Sequence, residues 1–167
     1  MNIHIEINAW DGKSANDIAD IYTRHCHDDE FRENIIKLMS KSSSQKAATW
    51  LLKRHLENDN KMSKSEVSRI YKNLNCLVHW QSKLHVLQSL PFLSISKPDK
   101  KLVELFLRSC LADSNKFVRA WAYNGFYELA VQYPEHVEET KQFFEMAMRD
   151  EAPSVISRIR NIMKKGF

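Results

Sequence analysis

Apolar positions recur at helical spacing from about residue 14 onward. Ala15, Ile18, Ala19, Tyr22 and Cys26 form one stripe, and Phe31, Ile35, Leu38 and Met39 the next. Further stripes run Ala48–Leu51–Leu52–His55–Leu56, Val67–Ile70–Tyr71–Leu74 and Trp80–Leu84–Leu87–Leu90. The longest is Val118, Trp121, Ala122, Gly125, Phe126 and Leu129, which follows i, i+3, i+4, i+7, i+8, i+11 along one face. Phe144, Ala147 and Met148, then Val155, Ile159, Ile162 and Met163, complete the series. Ser14 with Asp17 and Ser63 with Glu66 have capping-box spacing, and Pro91 ends or kinks its helix. The segment Leu102–Leu111 is apolar nearly all round, which predicts a helix buried on more than one side. About nine helices joined by short links follow, each antiparallel to its predecessor. Residues 3–7, "IHIEI", alternate with period two and predict one short strand. Residues 1–13 therefore read as an N-terminal extension and 14–167 as a single helical domain.

Composition narrows the fold class. Three glycines and four prolines in 167 residues are too few for the turns of a β-sandwich or barrel, so the expectation is all-α. No apolar run reaches the length of a membrane span, and the N-terminus lacks the basic and apolar regions of a signal peptide. Cys26, Cys76 and Cys110 form no CxxC pair and read as free thiols of a reducing, cytoplasmic compartment. Net charge is +4 but uneven: residues 61–112 carry nine basic and three acidic groups. That block could draw an anionic partner, although the whole-chain value is modest for a dedicated nucleic-acid binder.

Pairing the helices exposes a period. The first core residues of successive second helices are Ala48, Trp80, Val118 and Val155, at steps of 32, 38 and 37 residues. Such a period marks helical solenoids, in which each unit needs its neighbour to cover its apolar stripe. "LVELFLRSCLADSNKFVRAWAYNGFYELA", Leu102–Ala130, resembles one HEAT unit of the armadillo-like class. It has a leucine-rich first helix, an Asp-containing turn and a Val-Arg opening of the second helix. The resemblance spans roughly residues 28–165 and implies a short right-handed α-α superhelix of about four helix pairs. It also implies a structural ladder of turn Asp and helix Arg, here Asp113, Arg119 and Asp150, with Ile156 standing where the last unit's Arg would be. Gly125 is expected to admit a closely packed neighbour, offsetting the roughly 1 kcal/mol it costs inside a helix.

Candidate chemistry is sparse. "HCHDDE", His25–Glu30, holds metal-ligand residue types, but His25 and His27 are two apart on a helix and do not share a face. Its favoured reading is a solvated helix end; Cys26 between two histidines is the only nucleophile candidate. No GxSxG or phosphate loop occurs, and no metal or cofactor is called for. In HEAT-like proteins the second helices line the concave face. The residues placed there are Lys46, Lys83, Tyr123, Arg158, Arg160 and Lys164, near Trp50, Trp80 and Trp121. Arg158, in the stripe position Trp121 holds one unit earlier, is expected to lie over the preceding unit.

Two functions compete. The first is a non-enzymatic repeat module that binds another protein through that face. The alternative is a nucleic-acid-binding HEAT-like protein remotely resembling alkylpurine DNA glycosylases, with Asp113 and Trp121 or Trp80 as nearest analogues. An accessory protein acting on a protein-bound cofactor is a third reading that no residue requires. Nothing in the residues calls for a membrane partner, and they leave the oligomeric state open.

Overall fold

The computed structural model describes residues 2–167. These residues form ten α-helices and no strand: α1 Ile3–Ala9, α2 Ala15–His25, α3 Phe31–Met39, α4 Gln45–Glu57, α5 Lys64–Lys72, α6 Trp80–Ser89, α7 Lys100–Leu111, α8 Lys116–Gln132, α9 Val137–Asp150 and α10 Pro153–Met163. Short 3-10 turns precede α6 and α9 and follow α6, the last at Leu90–Phe92 around Pro91. The helices divide into two compact units, one reaching Leu93 and the other Ser94–Phe167.

The strand expected at residues 3–7 is helix α1. A lone strand would leave its backbone donors and acceptors without partners, whereas a helix satisfies them internally. Asn2 caps the turn by accepting from the His4 N–H at 2.8 Å. Ile3, Glu6 and Ile7 turn inward at i, i+3, i+4, and Ile5 is left 63% exposed. Asp11 then accepts the N–H groups of Lys13 and Ser14, both at 2.8 Å. Gly12 takes φ +73°, a left-handed conformation that side chains disfavour, to make the turn.

In the first unit, α4 packs on α2, α3 and α6, around Ile18, Ile35, Met39, Leu51, Leu52 and Leu87, all fully buried. The expected caps form: Ser14 accepts from the Asp17 N–H, and Ser63 and Glu66 make a reciprocal capping box. Helix α6 departs from the expected stripe. Trp80 is 40% exposed, and the buried face is Ser82, Val86, Leu87 and Ser89.

In the second unit, α8 is the central helix, packed against α7, α9 and α10. Its buried residues, among them Ala120, Ala122, Asn124, Gly125 and Phe126, run round much of the helix. The expectation that α7 would be the all-round buried helix is corrected: Leu102 and Leu105 face solvent, Leu105 at 53% exposure. Beyond α8, Tyr123, Phe144, Ala147, Val155, Ile159 and Ile162 form one apolar cluster.

Candidate functional site

Of the expected ladder residues, Arg119 reaches Asp113 through its backbone carbonyl and makes no hydrogen bond to Asp150. The Arg119 Nε and Nη2 donate to the two carboxylate oxygens of Glu151 at 2.9 and 3.1 Å. Its Nη1 donates to the carbonyls of Asp113 and Ser114 at 3.0 and 3.1 Å. One side chain therefore ties the turn before α8 to the turn before α10. The carboxylate it holds is Glu151, one residue beyond Asp150, which is exposed. The Asp113 carboxylate accepts the Asn115 N–H at 2.8 Å, and Asn115 caps α8. Burial works to raise the Glu151 carboxyl, but the Arg119 hydrogen bonds and charge outweigh it and hold it below the ordinary glutamate range. Burial, then the nearby Glu151 charge, pushes the Tyr123 phenol up to about 12. This group is a strut without an activated base or nucleophile in it.

Much of the basic set read from the second helices is already engaged. In the first unit, Lys46 donates to the Gly12 carbonyl and lies 5.8 Å from the Trp10 ring centroid. Lys83 is half-buried. In the second unit, Tyr123 is buried, and the Arg158 guanidinium sits 4.2 Å over Trp121. That contact is in the position expected for Arg158, and it covers one face of the indole. Arg160 and Lys164 are exposed.

The histidine-rich segment folds as an internal clamp. His25, buried at the end of α2, has Nε2 at 2.8 Å from Glu6 and Nδ1 at 2.9 Å from Asp28. Arg24 also holds Glu6. The His25 hydrogen bond, helped by Arg24 and opposed by burial, draws the Glu6 carboxyl below its usual range. Both ring nitrogens of His25 thus face carboxylates: Glu6 pins α1 to α2, and Asp28 holds the turn that follows α2. Among the described residues no group of three or more His, Cys, Asp or Glu is placed to share a metal ion. Cys26 is half-buried with Sγ 3.9 Å from the Thr23 carbonyl.

A different feature of the second unit has the form of a binding site. A groove of about 600 Å³ runs between α9 and α10, with Tyr127 of α8 at one side. Lys141, Phe144, Glu145, Met148 and Arg149 contribute one face of α9, and Ile162, Met163, Gly166 and Phe167 the opposite wall. Tyr127 donates to the Gly166 carbonyl at 3.2 Å, and the Phe167 ring stacks on Phe144 at 6.3 Å. The floor is apolar, while Met163 and Phe167 remain 54% and 50% exposed. Pattern reading assigned Phe144, Met148 and Met163 to the core; the only sequence signal for the groove is an α9 stripe of apolar residues edged by Lys141, Glu145 and Arg149. No helix of the described residues is long and apolar enough to cross a membrane.

No protein-family model matches the chain, and neither a curated protein nor a solved structure is significantly similar to it. What fold and site define is an all-α protein, with ten helices among the described residues and an open apolar groove in its second unit.

Proposed function

We propose that the chain is a non-catalytic helical-repeat module of HEAT-like type that binds another protein, and that the α9–α10 groove is its docking site. The groove is the observation that carries this reading. An apolar trough with charged edges and two half-exposed large side chains suits a macromolecular surface that excludes water from it. Support for the repeat comes from the spacing of the polar ties. Arg32–Glu66, Arg69–Glu33, Asn73–Ile36 and Thr49–His85 join residues 34, 36, 37 and 36 apart in the first unit. Arg108–Glu139 and Arg119–Glu151 do so at 31 and 32 in the second. Bonds recurring one helix pair apart are what serial stacking produces. On this reading α1 joins α2 as a first pair, giving five pairs where the sequence suggested about four.

The reading moves the docking site from the second-helix face to the trough beside α9. The nucleic-acid alternative has less support, because Arg158 covers one face of Trp121. The test is affinity capture with the full chain beside a Met163→Glu variant, followed by titration of each purified protein partner. Met163 is half-exposed, so its replacement spares the fold. The expected result is a protein partner whose affinity falls at least about tenfold in the variant. Recovery of nucleic acid with no protein partner, and a salt-sensitive gel shift, would overturn the proposal.

A further inference from the structure

The charges on the groove's edge say what kind of surface it accepts. Lys141, Glu145 and Arg149 stand at i, i+4 and i+8 on α9, so the two cations are about 12 Å apart along the helix axis. Among the described residues no carboxylate lies in ion-pair range of Arg149, and Lys141 pairs with the 83%-exposed Glu138 at 3.4 Å. The adjoining segment 154–167 carries Arg158, Arg160, Lys164 and Lys165 and no acid. The groove's own charged lining is thus two cations, Lys141 and Arg149, with the single carboxylate of Glu145 between them, while the other acids of α9, Glu138, Glu139 and Asp150, do not line it.

Its openness argues against a small ligand. Pockets for small molecules bury most of their ligand, and this floor leaves Met163 and Phe167 about half in solvent. An occupant that lies along α9 and reaches over both side chains would dry them. A helix does this with apolar residues at i, i+4 and i+7, and methionines such as Met148 and Met163 adapt to such anchors.

We infer that the groove receives one acidic amphipathic α-helix of a partner protein, laid along α9. Its apolar anchors fill the space between Phe144, Met148, Met163 and Phe167. Two of its carboxylates face Lys141 and Arg149, and a basic or neutral residue stands opposite Glu145. This inference rests on the protein-binding reading above and adds the partner's shape and charge.

The probe is a fluorescein-labelled synthetic helix of about 18 residues, five turns. It has Leu at i, i+4 and i+7, and Glu flanking that stripe. A twin carries Lys in place of each Glu. Anisotropy titrations against the full chain should show saturable binding of the Glu peptide, about tenfold tighter than the Lys peptide. Met163→Glu should weaken it at least about tenfold with the far-ultraviolet circular dichroism unchanged. Arg149→Glu should narrow or reverse the preference between the peptides. Equal binding of both peptides, or binding indifferent to Met163→Glu, overturns the inference. So does a labelled oligonucleotide that competes for the groove. Failure of both peptides, while a captured protein still depends on Met163, overturns the inference and leaves the protein-binding reading standing. Loss of that captured partner as well removes both.

Discussion

Gln45 is the buried polar residue whose removal tests the packing of the first unit most directly. It is fully buried at the start of α4. Its Nε2 donates to the Cys76 carbonyl at 3.1 Å, and its Oε1 accepts the Val78 and His79 N–H groups at 2.7 and 3.1 Å. One amide thus caps the turn that launches α6. Thr49 meets His85 at 3.1 Å further along both helices, so α4 and α6 run the same way side by side. Gln45→Met keeps the side-chain length and removes all three bonds. Each is worth about 1 kcal/mol, and because Val78 and His79 are exposed their N–H groups can turn to water. The expected loss is about 2–3 kcal/mol. For a chain of this size that lowers Tm by roughly 4–12 °C. Thermal and urea unfolding measure the loss, and hydrogen exchange should show the Val78 and His79 amides opening first. An unchanged midpoint with unchanged exchange at those two amides would refute the idea that Gln45 locks α4 to α6.

In the second unit, Arg119→Met removes the cation paired with Glu151 and releases two turn carbonyls. The pair is mostly buried, so the cost is about 1–3 kcal/mol. Trp121, the sole tryptophan of residues 94–167, reports it by fluorescence in urea, and an unshifted midpoint would count against the strut. His85 gives a pH prediction: burial, then the Lys53 and Lys46 charges, lower its imidazole from 6.5 to about 4. Between those values the unfolded chain binds more protons than the folded one, so stability falls as pH drops from about 6.5 to 4 and then levels. Nuclear magnetic resonance should place the His85 ring midpoint near 4, and His85→Gln should flatten that part of the pH–stability curve; a midpoint near 6.5 would end this account.

Most helices were legible because each needs one apolar stripe and a cap, and both are written locally. Ser14, Ser63 with Glu66, and Pro91 mark boundaries the structure keeps. The misses have local causes too. In "IHIEI" the inward pair Ile3 and Ile7 fits a four-residue helical step as well as a two-residue alternation, and five residues are too few to separate them. Helix α8 is more enclosed than α7 although α7 is richer in leucine. Its small residues Ala120, Ala122 and Gly125 are buried, and a count of apolar bulk undervalues them. Helix α6 shows the same bias: Ser82 and Ser89 are inside while Trp80, at the first turn, stays half out.

The polar ties explain why the site was harder to read than the helices. Arg119 was expected to find an acidic turn residue, and it holds Glu151 where Asp150 was marked. A long guanidinium reaches either position, so a pattern built on identity slips by one residue where the geometry does not. The other ties use Gln45, Asn73, Arg69 and Arg108 with unrelated partners at similar separations. Ties made by distance, with different chemistry at each one, leave little recurring motif in the sequence. The groove is hidden for a related reason. Phe144 is buried within the unit, and Met148 beside it reaches into the trough from the same α9 stripe. A stripe records that a face is apolar; it takes the neighbouring helix to show that part of that face has been left open.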